Sequence, residues 1–248
     1  MYNDFLTILT FYSFEFAFVA MLGGALYFAL ERNSLALEYR SVATLASVIA
    51  LVAAVNYYHM GGLVEKSLAE SGSLADFPTS YRYIDWLITT PMLLAMIVAL
   101  LGVRKNLGGI MGGLITADII MIVAGYFGEV NVNLEDGSMA MAWGGFIVSM
   151  FAWLYILFVL YSVLSSYAAK QSSEIRSALG TLRLFILIGW SIYPIGYFVS
   201  LLGGSEGLLL GREVIYCYAD VIAKVIFGMI AVHAAKKASI VWVDEGKG

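Results

Sequence analysis

Seven stretches of about 20 largely apolar residues, each long enough to cross a bilayer core as a helix, fill most of this 248-residue sequence. They run at about 5–30, 41–63, 81–102, 108–127, 139–165, 180–202 and 213–235. Hydrocarbon offers backbone amides no water, so each amide must be satisfied within its own segment. The expected fold is therefore all-α: an integral membrane bundle of seven transmembrane helices, forming one domain over residues 1–248. The connections are too short for a second domain. Composition agrees, with 61% apolar and 13% charged residues and a mean hydropathy of +0.85. A soluble chain carries about a quarter charged residues. The single cysteine, Cys217, excludes an intrachain disulfide and lies in an apolar run, as a buried thiol would. The start Met1-Tyr2-Asn3-Asp4 lacks the basic segment of a signal peptide.

Basic residues set the expected orientation. Of 14, ten (Arg32, Arg40, Arg104, Lys105, Lys170, Arg176, Arg183, Lys236, Lys237 and Lys247) fall on one side of the seven-span arrangement. Lys66 and Arg212 fall on the other, and Arg82 and Lys224 lie within spans. The bias puts the N-terminus outside and the C-terminus inside. The segment from Glu129 to Asp136, acidic and without Lys or Arg, reads as an outer loop.

Hydrophobicity does not explain the ionisable residues at bilayer depth, which cost at least ~2.5 kcal/mol each and are functional candidates. These are Glu15, Arg82, Asp85, Asp118, Asp220 and Lys224. Lys224 lies near the middle of the seventh span, with Asp220 one turn earlier on the same face. Desolvation favours the neutral amine, which attacks an aldehyde to form a Schiff base. A Lys–Asp pair that merely joins helices fits this fragment equally well. The third span reads Tyr81-Arg82-Tyr83-Ile84-Asp85-Trp86-Leu87-Ile88-Thr89-Thr90-Pro91. Asp85 and Thr89 share a face, so the hydroxyl is expected on the carboxylate, and Arg82 lies one turn the other way. Pro91 removes a backbone donor beside them. Two carboxylates and one guanidinium thus converge on one lysine, a cluster that can be buried as a neutral unit. In the sixth span Trp190, Tyr193 and Tyr197 recur on one face, and with Trp86 and Trp153 they can wall a slot for a flat polyene.

At these residues the chain resembles a microbial (type 1) rhodopsin, from about residue 5 to 235. The Arg82–Pro91 block, the Trp190–Tyr197 block and the Asp220/Lys224 pair occur in the family's order. Ile122–Glu129 and Ala152–Tyr155 are most similar to proteorhodopsin and bacteriorhodopsin-like proton pumps. The resemblance implies all-trans-retinal as a covalent Schiff base on Lys224. It implies Asp85 as primary counterion and proton acceptor with Thr89 its partner, Asp220 as second counterion, and Arg82 as the link to the outside. Trp86, Trp190, Tyr193, Trp153, Pro194 and Met121 would line the polyene, with Tyr57 and Tyr83 near the counterions. Leu93 occupies the family's green-tuning position, and Phe146 stands where antenna-binding members have glycine. Asp118 would be a neutral, hydrogen-bonded carboxyl.

Two positions depart from the pattern. Met96 stands where outward pumps carry a carboxylic donor, so reprotonation from inside is expected to be slow. Asn56 replaces the histidine that pairs with the counterion in proteorhodopsin-like members. His59 and His233 read as interfacial, Glu15 as near the outer interface, and Glu206 and Glu213 as outer-mouth residues, solvated or paired for proton release. The expected function is a light-driven outward proton pump in the cell membrane with slow reprotonation. The alternative is a photosensor of the same fold acting through a separate transducer. Chloride and sodium pumps use other third-span patterns. Lipid, protons and further copies of the chain, as trimer or pentamer, are the expected partners; neither nucleic acid nor metal is.

Overall fold

The computed structural model describes residues 5–71, 77, 80–102, 108–134 and 136–244. Seven helical runs, each long and apolar enough to cross a membrane, account for nearly all of them, and no strand occurs among the described residues. The first four helices are Phe5–Glu31, Arg40–Ser71, Ser80–Leu100 and Gly108–Asn133. The fifth, Met139–Phe158, continues through a π-helical turn, Val159–Val163, into Leu164–Ala168. The sixth comprises Ser173–Leu184, a π turn at Phe185–Gly189, and Ile192–Leu201. The seventh comprises Glu206–Val221, a π turn at Ile222–Ile226, and Phe227–Asp244. Met1–Asp4, Arg104, Lys105 and Lys247, which entered the signal-peptide and orientation arguments, lie outside the described residues.

Several helices overrun the apolar stretches that announced them, because their ends are amphipathic rather than apolar. The sixth begins at Ser173, and Ser172 accepts a capping hydrogen bond from the amide of Ile175 at 3.4 Å. Its first turns bury Ile175, Ala178, Leu179 and Leu182, a helical stripe, while Glu174, Arg176 and Ser177 face outward. The second helix runs on to Ser71 by burying Val64 and Leu68. The fourth passes residue 127 to Asn133, so Glu129 sits inside a helix and is buried, not in an outer loop. Arg183, expected at the inner surface, is also buried, its guanidinium 5.6 Å from the centre of the Tyr161 ring.

The bundle is inverted relative to a soluble protein. Large apolar side chains such as Phe151, Ile188 and Leu26 face outward, where lipid solvates them as well as a core would. Small residues let helices approach: a Cβ on Gly145 of the fifth helix would lie 2.7 Å from Gly128 Cα of the fourth. A Cβ on Gly228 would meet the Phe28 ring at 2.6 Å. Buried alanines 43, 46, 50, 53 and 54 do the same for the second helix. Inside, Leu93, Met96, Ile97, Leu182, Ile186 and Phe227 pack an apolar cluster toward the C-terminal end of the third helix. The buried charges Arg82, Glu129 and Glu213 collect toward that helix's N-terminal end. The π turn of the seventh helix carries Lys224 at the boundary between these regions.

Candidate functional site

Lys224 is 2% exposed, and its Nζ lies 2.9 Å from Asp85 Oδ2 and 2.9 Å from Asp220 Oδ2. Asp220 comes from the same helix, one π-widened turn away, and Asp85 from the third. The two carboxylates are equally close but differently surrounded. Asp220 accepts hydrogen bonds from the Tyr57 hydroxyl at 2.9 Å, from the Tyr193 hydroxyl, and from Trp86 Nε1 at 3.3 Å. Asp85 is fully buried, and apart from the ion pair with Lys224 its carboxylate oxygens have no hydrogen-bond partner among the described residues. Hydrogen bonds to a carboxylate favour its ionised form, and of the two it is Asp220 that receives them from neutral donors.

The threonine expected on the Asp85 carboxylate lies beside it, and its hydroxyl also serves the backbone. Thr89 Oγ1 donates to the backbone carbonyl of Asp85 at 2.9 Å, the local bond that Thr makes to residue i−4 in a helix. Thr90 Oγ1 likewise reaches the Trp86 carbonyl, and it meets Asp118 Oδ2 at 2.7 Å, joining the third and fourth helices. Arg82 bonds neither Asp85 nor Asp220; its Nε and Nη2 hold Glu213 Oε2 at 2.9 and 2.7 Å. Its Nη1 donates to the Tyr57 hydroxyl at 3.0 Å, which links it to Asp220 through one side chain. A guanidinium takes the partner that matches its fork, and Glu213 offers a carboxylate pointing into the bundle. Glu213 is therefore buried at 3% exposure, not a solvated loop residue; the side chain of Glu206 lies outside the described residues.

A cavity opens from Lys224 between the third, fourth, fifth, sixth and seventh helices. Trp86, Leu93, Met121, Trp153, Trp190, Tyr193, Pro194 and Tyr83 all line it. Trp86 and Tyr193 meet edge to face with ring centres 4.8 Å apart, and Trp153 Nε1 is satisfied by the Ile186 carbonyl at 3.3 Å. Phe146 also forms part of the wall, as do Tyr197 and Tyr216. Tyr57 does not line the cavity; it sits behind Asp220. Tyr83 lines the wall, but its hydroxyl bonds Glu129 at 2.6 Å and neither Asp85 nor Asp220. Sequence reasoning missed Tyr216, Glu129 and Arg212. Tyr216 packs against Gly196, where any Cβ would strike its ring. Arg212, assigned to the outer surface, is nearly buried and bridges Glu129 and Glu213.

Elsewhere, Met96 is fully buried in the apolar cluster. Asn56 is half-buried and donates to the Val52 carbonyl. His59, His233 and Glu15 are exposed on the bundle's outer face. Glu15 Oε1 lies against Gly61 of the second helix.

Comparison with known proteins agrees with this geometry. The chain is 33% identical over 229 residues to the green-light absorbing proteorhodopsin of the gamma-proteobacterium EBAC31A08, covering 92% of this chain and 86% of that protein. It is 34% identical to archaerhodopsin-2 of Halobacterium sp. (strain aus-2), covering 86% and 80%. Among solved structures, Exiguobacterium sibiricum rhodopsin superposes with a TM-score of 0.85 at 44% identity over 94% of this chain and 99% of that one. Xanthorhodopsin, described as a light-driven ion pump with dual chromophore, superposes with a TM-score of 0.86 at 30% identity, covering 98% and 97%. The model of the bacteriorhodopsin-like protein family matches residues 9–238, nearly the whole bundle, and the chain belongs to that family.

Proposed function

We propose that this multi-pass protein of the cell membrane is a light-driven outward proton pump carrying all-trans-retinal on Lys224. The residues suit that group: a primary amine, shielded from water, stands at the end of an apolar, aromatic-walled cavity. Bound there as a Schiff base, retinal would supply light absorption and a light-driven change of shape. The chain's own residues account for the rest. Trp86, Trp190, Tyr193, Trp153, Pro194 and Met121 confine the ligand, and Leu93 faces it at the position from which we read green absorption. Phe146 fills part of the wall, and we read a single chromophore without a carotenoid antenna.

The observation that carries the reading is the inequality of the two carboxylates. Both lie 2.9 Å from Nζ, but three further donors hold Asp220, while beside Asp85 there is only Thr89, whose hydroxyl donates to the backbone carbonyl. A proton leaving Nζ therefore goes to Asp85. Asp85 stands toward the N-terminal end of the third helix, which the bias of basic residues places outside. Cells expressing the protein in unbuffered medium should acidify it on illumination, and an uncoupler should abolish the effect. No such acidification by a coloured protein would remove the proposal.

Return of the proton from the inside is slow in this reading. The way back passes Met96, Ile97 and Phe227, all apolar and buried, and Asp118 is engaged by Thr90. The same observation favours a second reading, a photosensor whose long-lived state acts on a separate transducer. Added azide tests the premise they share: a cycle limited by proton return speeds up, and a cycle already fast without azide removes the motive for a sensor; light-driven acidification of the medium separates the two. We read the protein as a trimer or pentamer by analogy with its family.

A further inference from the structure

Beyond Arg82 lies a buried set of charges that the pumping step does not use. Glu213 is gripped by two guanidiniums, one on each oxygen. Oε2 accepts from Arg82 Nε and Nη2, and Oε1 accepts from Arg212 Nε and Nη2 at 3.1 and 2.8 Å. Arg212 Nη1 reaches on to Glu129 Oε1 at 3.0 Å and to Ser200 Oγ. Glu129 Oε2 accepts from Tyr83, a wall residue of the cavity. The chain of contacts therefore runs from the cavity wall through Tyr83, Glu129, Arg212, Glu213, Arg82 and Tyr57 to Asp220. The ring of Tyr216 flanks both guanidiniums, at 5.3 Å from Arg82 and 5.7 Å from Arg212. Cys217 Sγ accepts from Arg82 at 3.6 Å.

A carboxylate with four N–H donors on its two oxygens, shielded from water, has no reason to hold a proton. Glu213 therefore has none to give when Asp85 is protonated. We propose that Arg212 is a positioning residue that keeps Glu213 a permanent anion, so that the proton accepted by Asp85 is released only after Lys224 has been reprotonated. The inference rests on the pump reading and adds an order of events to it. In the cycle so ordered, one proton moves from Lys224 Nζ to Asp85, a second reaches Nζ from the inside, and the first then leaves Asp85 for the outside. Without Arg212, two buried carboxylates would face one guanidinium among the described residues, and the cluster would meet the missing cation by taking up a proton shared between Glu129 and Glu213. That proton would be available for early release.

The test uses the retinal-reconstituted protein in vesicles with a pH-indicating dye, excited by single flashes. In the unmodified protein, uptake should precede release. Arg212→Gln should reverse the order, and Arg212→Gln with Glu129→Gln, which removes one anion with the cation, should restore it. Infrared spectra in the dark give a second readout that a purely structural role would not move. Arg212→Gln should gain a protonated-carboxyl C=O band, with or without retinal, and the double variant should lose it. Release ahead of uptake in the unmodified protein overturns the proposal, as does an Arg212→Gln protein with neither new band nor changed order. If Arg212→Gln does not assemble, the order in the unmodified protein decides. If no pigment forms or no protons move, the pump reading fails, while the infrared comparison still decides the role of Arg212.

Discussion

Replacing Tyr193 with phenylalanine tests the argument on which the choice of proton acceptor rests. The substitution keeps the ring that lines the cavity and meets Trp86 edge to face, and removes only the hydroxyl that donates to Asp220 Oδ1. Tyr57 and Trp86 still hold Asp220, so its carboxylate loses one of three neutral donors. A hydrogen bond to a charged group contributes about 1.5–3 kcal/mol. Asp85 loses nothing, because the hydroxyl does not touch it. The proton leaving Lys224 Nζ divides between the two carboxylates according to their difference in free energy. The share found on Asp220 should therefore rise by roughly tenfold to a hundredfold relative to Asp85, at about 1.4 kcal/mol per factor of ten. Time-resolved infrared difference spectroscopy reads this division as carboxylic C=O bands, with Asp85→Glu shifting the Asp85 band and so assigning it. Outward proton yield should fall in step. An unchanged division in Tyr193→Phe would refute the claim that donors on Asp220 decide which carboxylate accepts.

Three further outcomes follow from the same geometry. Lys224→Ala should yield no visible band with all-trans-retinal, since no other amine among the described residues lines the cavity; an unchanged band would end the retinal reading. Met96→Glu should place a proton donor in the apolar cluster and speed recovery in flash photolysis by about 100-fold or more, the usual contribution of a general acid, and should abolish any azide effect. Recovery at the original rate would show that proton return is not limiting. Gly145→Val should force the fourth and fifth helices apart at Gly128 and destabilise the bundle by roughly 1–3 kcal/mol, seen as a lower temperature for loss of helical circular dichroism. No change would mean that this crossing is not close-packed in the membrane.

The number and type of helices were legible in the sequence because a bilayer imposes one length scale on every span and forbids unpaired backbone. The lysine, its two aspartates and the aromatic wall were legible because charges and polar aromatics stand out against an apolar background and recur at helical spacing. Helix ends were not, because the turns beyond residues 63 and 127 and before 180 are amphipathic, and their apolar stripes appear only once a neighbouring helix covers them. The three π turns left no mark in the pattern either. Tertiary structure alone decided who bonds whom. Arg82 shares a stripe with Asp85 along one helix, and spacing along one helix is all that a sequence displays. Its actual partner, Glu213, lies 131 residues away on the seventh helix, next to an arginine that hydropathy had assigned to the surface. Whether a buried carboxylate holds a proton depends on the donors around it, and those donors arrive from other helices.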